Sequence, residues 1–254
     1  MMKIKTFLIR VVSVCLCLVM ALLLSSCEML VPGSSIIFGD DAIIGGNILS
    51  EDESVQYKVV SESYKVHTDS IGSVYMECCI VIENTGKENI YIHDTDIDIE
   101  DDSGSLIDTK SGLEAYPDVI APGEKSIIYD SVLLDENPSD GCTVKPFFSI
   151  EEATVPIERL EVFDVSIKEY YTHYVKTVGR VKNTTDESQS LYTLVVVFYD
   201  ENDNIIGLTY TYPDSLEPGE TTSFSTTNMF DSQDIEFSDI DHYDAFAFTL
   251  QYQF

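Results

Sequence analysis

The chain has 254 residues, with 14 basic and 45 acidic side chains and a formal charge of −31 at neutral pH. A surface this acidic repels phosphate backbones and excludes nucleic acid as a partner. High charge can also mean disorder, but 44% of the residues are hydrophobic and 15 Tyr and 12 Phe can fill a core, so the composition predicts a folded acidic protein.

The first residues form a cationic stretch with Lys3, Lys5 and Arg10, followed by an almost unbroken apolar run from Val11 to Leu24. That run is shorter than the roughly 18 to 20 residues a spanning helix requires, and it reads as the h-region of a secretory signal. An ordinary signal would end in small residues alone. Here Leu24-Ser25-Ser26-Cys27 resembles the lipobox of bacterial lipoproteins. The resemblance implies that residues 1–26 are a signal peptide and that Cys27 is diacylated and becomes the N-terminus. It also implies a protein lipid-anchored to the cell membrane on its extracytoplasmic side. The remaining 228 residues would carry 11 basic against 45 acidic side chains, because the leader's three charges are all basic. Such a body is repelled by an anionic bilayer surface. Absence of Trp with abundant Ile, Tyr and Asp points to a Gram-positive cell surface.

Residues 27–50 contain Pro32-Gly33-Ser34-Ser35, Gly39, Gly45 and Gly46 among short apolar pairs. They have no sustained period and read as a flexible tether, unless their Ile-rich patches rest on the body that follows. Cys15 and Cys17 leave with the leader, so Cys78, Cys79 and Cys142 remain. Either Cys78 or Cys79 bridges to Cys142, or all three are buried thiols. No CxxC pair or Cys–His spacing suggests a structural metal site.

From Glu51 to Phe254 short runs of Val, Ile, Thr, Tyr and Phe alternate with polar residues and are broken by Asp, Asn, Gly and Pro. The pattern predicts an all-β fold with strands at sandwich spacing. The two halves also align with each other. Ile82-Glu83-Asn84-Thr85 matches Val181-Lys182-Asn183-Thr184, Ile97 to Asp101 falls on Val196 to Asp200, and Ala121-Pro122-Gly123-Glu124 matches Glu217-Pro218-Gly219-Glu220. We therefore expect two tandem immunoglobulin-like β-sandwich domains, residues 51–153 and 154–254. Asn84 and Asn183 are expected to close Asx-turns where a strand ends, and Asp101-Asp102-Ser103-Gly104 and Asp200 to Asn204 to form hairpin loops. Each Pro-Gly-Glu is expected to make a type II turn into the next strand.

The second copy, through Gly179-Arg180-Val181-Lys182-Asn183-Thr184, Val196-Val197-Phe198-Tyr199-Asp200, Ile206-Gly207 and Leu216 to Glu220, resembles the FxLYD domain. The signature Phe-x-Leu-Tyr-Asp stands as Val196-x-Phe198-Tyr199-Asp200; in the first copy Ile97-x-Ile99-Glu100-Asp101 lacks the Tyr. The resemblance implies a small immunoglobulin-like sandwich in an extracytoplasmic setting, with no catalytic residues to carry over.

No nucleophile elbow, Ser-x-x-Lys or His-Glu-x-x-His spacing occurs, and His67, His93, His173 and His242 lie far apart. The expectation is a protein without enzymatic activity or cofactor. By the repeat offset His93 falls on Tyr192, and we read it as a packed or edge residue. The most distinctive chemical feature is Asp94-Thr95-Asp96-Ile97-Asp98-Ile99-Glu100. On a strand, Asp94, Asp96, Asp98 and Glu100 share one face while Ile97 and Ile99 share the other. Calcium is the natural cation for such a stripe, but the run lacks the glycine and twelfth-position Glu of an EF-hand loop, so a solvated outer face is the simpler expectation. A second cluster is expected from Tyr170, Tyr171 and Tyr174 with Tyr210 and Tyr212 on a neighbouring strand, either stacking on a glycan or peptide or packing in the sheet. The sequence thus points to a non-catalytic binding or spacer module. It would be joined to the membrane through the lipid on Cys27 and face an unidentified extracellular protein or glycan. Two rivals are a calcium-dependent adhesion module using the acidic strand, and an accessory subunit of an envelope enzyme or transporter.

Overall fold

In the computed structural model, residues 35–36, 55–69, 71–135, 137–138, 141–154, 157–170, 174–229 and 236–249 are described. The expected leader and Cys27 lie outside them, as do Tyr171 and His173. The described strands are β1 (Ser35–Ile36), β2 (Tyr57–Thr68), β3 (Val74–Asn84), β4 (Ile90–Glu100), β5 (Leu106–Lys110), β6 (Ala115–Tyr116), β7 (Val119–Ile120), β8 (Lys125–Leu134) and β9 (Thr143–Glu152) in the first half. The second half contributes β10 (Arg159–Glu169), β11 (Tyr174–Lys182), β12 (Tyr192–Tyr199), β13 (Ile205–Thr211), β14 (Thr221–Met229) and β15 (His242–Thr249), with one 3₁₀ turn at Phe237–Asp239. The fold is all-β and immunoglobulin-like, as the alternation predicts.

Each half is built from two antiparallel sheets. In the first, β2-β3-β8-β6 faces β9-β4-β5, with β7 added to β4. In the second, β10-β11-β14 faces β15-β12-β13, and Arg159 and Leu160 at the start of β10 also pair with β15. β1 pairs with β9 at Thr143 and Val144, so the expected tether is attached to the body at Ser35–Ile36 rather than free along its length.

Two β-bulges set which residues enter the first core. A bulge inserts one unpaired residue and so inverts the side-chain alternation beyond it. On β4 the register shifts between Ile92 and Asp94: Ile90 and Ile92 point inward before the shift, and Thr95, Ile97 and Ile99 after it. On β2 a shift between Val59 and Ser61 moves the inward set from Tyr57 and Val59 to Glu62 and Tyr64. Glu62 is consequently buried among apolar side chains, and the Tyr64 hydroxyl donates to its Oε2 at 3.2 Å.

One core lies between the sheets of the first half, around Met76, Cys78, Ile80, Ile82, Ile97 and Ile99. Another lies in the second, around Val181, Leu194, Val196, Phe198 and Phe224. A third apolar cluster joins them: Cys79, Val81, Tyr116 and Ile127 from the first half meet Val195, Val197, Leu208 and Phe248 from the second. The outer face of the β2-β3-β8 sheet is therefore stacked on the outer face of the β13-β12-β15 sheet. This accounts for a feature of the sequence that simple alternation does not explain. Met76 to Ile82 and Tyr192 to Phe198 are buried without interruption, because both faces of β3 and of β12 are covered. The two halves lie face to face through this cluster.

Candidate functional site

The shared motifs are where the two halves are most alike in structure, and all of them act on the backbone. The Asn84 side-chain amide donates to the carbonyls of Glu88 (2.8 Å) and Ile120 (2.9 Å), and its Oδ1 accepts from the Gly86 N–H. Asn183 does the same with Glu187 (2.7 Å), Leu216 (3.0 Å) and the Thr185 N–H. Both asparagines are fully buried; Asn84 ties the end of β3 to β7 of the opposite sheet, and Asn183 ties the end of β11 to Leu216, which bridges to Gln189. In the Pro-Gly-Glu turns Gly123 and Gly219 have φ of 81° and 77°, and Glu124 and Glu220 donate N–H bonds back to Ala121 and Glu217. Such φ values and closing bonds are those of type II turns.

Asp101 and Asp200 each begin a hairpin loop and cap it. The Asp101 Oδ1 accepts from the N–H groups of Ser103 and Ser105, and the Asp200 Oδ1 from those of Asn202 and Asn204. Asp69 repeats the arrangement with Ile71 and Ser73, a third instance that no repeat offset reveals. The Ser103 hydroxyl and the turn amides hold the Asp101 carboxyl below its ordinary range. Desolvation opposes the same effect at Asp69 and Asp200, but the turn hydrogen bonds outweigh it. In the Tyr-Asp signature, Val196 and Phe198 thus fill the core, Asp200 caps a loop, and Tyr199 lies on the outer face, stacked on His242 with ring centroids 4.7 Å apart.

The acidic strand is built as the alternation predicts. Asp94, Asp96, Asp98 and Glu100 lie on the outer face of β4, opposite Ser149, Phe147, Lys145 and Thr143 of β9. Their carboxylates do not converge. Asp96 accepts the Gly112 N–H at 3.2 Å, Asp98 the Thr109 hydroxyl at 2.8 Å, and Glu100 takes the Lys145 ammonium on both oxygens at 2.7 Å. Among the described residues no group of three or more His, Cys, Asp or Glu is placed to hold a metal ion. Phe147, 53% exposed, stands beside Asp96.

The tyrosines do not form one cluster. Tyr170 and Tyr174 close the β10–β11 hairpin, whereas Tyr210 lies on β13, in the other sheet, and stacks on Tyr116 of the first half at 5.1 Å. Tyr212 packs edge-on to Tyr210. The expected neighbouring strand is the wrong one, because β13 pairs with β12. His93 is exposed at the β4 bulge, edge-on to Tyr91. Cys78, Cys79 and Cys142 are free, buried thiols, and burial pushes the Cys79 thiol up to about 12.

One carboxyl strongly altered by its surroundings is one the sequence does not single out. Glu77 lies on the outer face of β3 at the joint between the halves. Burial pushes its carboxyl up to about 7, against hydrogen bonds from the Ser131 hydroxyl (2.8 Å) and the Tyr129 hydroxyl (3.0 Å). His67 Nδ1 is 3.9 Å away.

Among known proteins, no family model and no curated protein matches the chain. Solved structures give only distant likenesses. A beta-glucuronidase from glycoside hydrolase family 2 is 12% identical with a TM-score of 0.22, over 61% of this chain and 20% of that one. Red sea bream transglutaminase is 10% identical with a TM-score of 0.23, over 70% and 27%. The N-terminal CBM22-1-CBM22-2 tandem domain from Paenibacillus barcinonensis Xyn10C is 9% identical with a TM-score of 0.15, over 86% and 93%. The chain spans about a fifth to a quarter of the first two proteins.

Proposed function

We propose that this protein is an extracytoplasmic lipoprotein, held to the membrane through a diacylated Cys27, whose paired FxLYD-like sandwiches form a non-catalytic binding or spacer module. The anchor reading rests on the order of cationic stretch, apolar run and Leu24-Ser25-Ser26-Cys27. The spacer reading is supported by the apolar joint, where Val81 and Ile127 meet Val195 and Val197. A joint of this kind stiffens the pair, since rotating one half would expose those side chains to water. A stiff acidic body on a lipid anchor holds its partner-facing surfaces at a set height and confines their search to the membrane plane.

The test is to express the full chain with an alkyne-labelled palmitate and to partition the cells in Triton X-114. Label on the wild type and its loss in Cys27→Ala, with a shift of the variant to the aqueous phase, is the expected result. Equal labelling of both would overturn the anchor.

A further inference from the structure

The joint between the halves is heterologous: the outer face of β3 in one copy meets the outer face of β12 in the next. Each chain therefore leaves one unused face of each kind. The free counterpart of the β3 face is that of β11, where the repeat offset set by Asn84 and Asn183 places Lys176, Val178 and Arg180 at the positions of Glu77, Cys79 and Val81. The free counterpart of the β12 face is that of β4, where Asp94, Asp96 and Asp98 stand at the positions of Thr193, Val195 and Val197.

The two free faces are opposite in charge. Four of the chain's 14 basic residues, Lys168, Lys176, Arg180 and Lys182, lie on the outer face of β10 and β11, in a protein of charge −31. Two carboxylates, Glu161 opposite Lys182 and Asp164 at 3.7 Å from Arg180, accompany them. Lys168 and Lys176 are direct cross-strand partners, an arrangement that costs stability by itself. On β4, Asp94, Asp96 and Asp98 stand at alternate positions of one strand, about 7 Å apart, with Lys145 of β9 directly opposite Asp98. Both charged rows span seven residues, from Lys176 to Lys182 and from Asp94 to Glu100, six steps or about 20 Å at strand rise.

We propose that molecules of this chain stack head to tail, the β10-β11-β14 face of one seated on the β9-β4-β5 face of the next, in the register of the joint inside each chain. That register sets Arg180 against Asp96 and Asp98, as Val81 meets Val195 and Val197 inside the chain, with Lys176 further along the same face, and relieves like-charge repulsion on both sides. Because the contact is heterologous, it forms an open row and not a closed dimer. Ion pairs in place of the aliphatic joint make the contact weak and reversible. The overall negative charge opposes association at long range. At about 0.15 M salt the Debye length is about 8 Å, which screens that net repulsion while contact pairs at 3 to 4 Å persist; at about 1 M, near 3 Å, the pairs weaken too. Association therefore passes through a maximum as salt rises. On a membrane, anchored chains would meet at high local concentration, so this inference rests on the lipoprotein reading for its setting but not for its test.

The test is sedimentation velocity of residues Gly33–Phe254, which form one compact unit, at 0.1 mM protein and over a salt series. The expected result is concentration-dependent growth of the sedimentation coefficient near 0.15 M salt and its loss near 1 M. Asp94→Lys with Asp96→Lys should abolish it, and so should Lys176→Glu with Arg180→Glu. Mixing the two variants one to one should restore it, since each then offers the other a complementary pair of faces. Recovery on mixing also shows that both variants are folded. A wild type that stays monomeric at every salt concentration would overturn the proposal, as would association that survives either charge reversal, or variants with wild-type melting that fail to recover on mixing. Failure here leaves the palmitate-labelling result untouched.

Discussion

The Tyr129 hydroxyl lies 3.0 Å from Glu77 Oε2 and 3.3 Å from the Ile206 carbonyl oxygen. It has one proton and two acceptors, one in each half of the molecule. When Glu77 is ionised the proton belongs to the carboxylate; when Glu77 is protonated, its own hydroxyl can donate to Tyr129 and release the tyrosine proton to Ile206. The charge state of a carboxyl in the first half thus bears on a hydrogen bond to the second.

A pH dependence follows. The folded chain holds a proton on Glu77 up to about 7, against an ordinary value of 4.5, so between these limits the native state binds more protons than the unfolded state. The stability owed to this residue is full below that window, falls as pH rises through it, and is constant above, a change of about 3 kcal/mol. Glu77→Gln should be more stable than wild type by about 1 to 3 kcal/mol at pH 8, with the gap closing at pH 5. Urea unfolding at both pH values measures it; a gap independent of pH would refute the assignment.

Asn84→Ala and Asn183→Ala should each cost about 2 to 3 kcal/mol, because each removes two side-chain bonds to backbone carbonyls and one from a turn N–H at a fully buried position. The sites share no partner, so the double variant should lose about the sum. Thermal unfolding of the three variants decides it.

Gly179→Ala tests the packing of the second core. A Cβ there would sit 2.7 Å from two Phe224 ring carbons and 3.2 Å from Val165 Cγ2, so the ring must move. A loss of about 1 to 3 kcal/mol is expected, recovered in part by Phe224→Leu.

Turn chemistry was readable in the sequence because it is local. The Asx-turn of Asn84, the loop cap of Asp101 and the turn at Gly123 follow from their own side chain or φ and from residues within a few positions, and the duplicate in the second half strengthens each; the Asn84 bond to Ile120 is long-range and was not readable. The core face of β4 was equally readable from Ile97 and Ile99. The bulges were not: nothing at Val60 or His93 announces an extra residue, yet each inverts the inward set beyond it, and one of them buries Glu62. The joint was only half visible. Uninterrupted apolar runs in β3 and β12 show that both faces are covered, but which surface covers them is settled by packing across more than a hundred residues. The separation of Tyr170 from Tyr210 has the same origin, since strand order and not sequence distance decides which residues share a sheet.

The acidic strand gives a prediction of a different kind. With Asp96, Asp98 and Glu100 each engaged by a separate neighbour, millimolar calcium in place of EDTA should leave the melting temperature unchanged to within about a degree, since an ion that does not bind the native state cannot stabilise it by mass action. A rise of several degrees, lost in Asp96→Asn, would show that the strand rearranges to take up the ion.

β12 is covered on one side by its own sandwich and on the other by a sheet made from residues that leave the ribosome earlier. During synthesis the residues of the β3 and β8 surface are made before Val195, Val197, Leu208 and Phe248, so these four emerge after the surface that covers them. A gene encoding the second half alone removes that surface and presents those four side chains to water. The halves are duplicated in sequence but not equivalent in biosynthesis: swapping their order in the gene would leave the β12 face uncovered until the β3 face follows it.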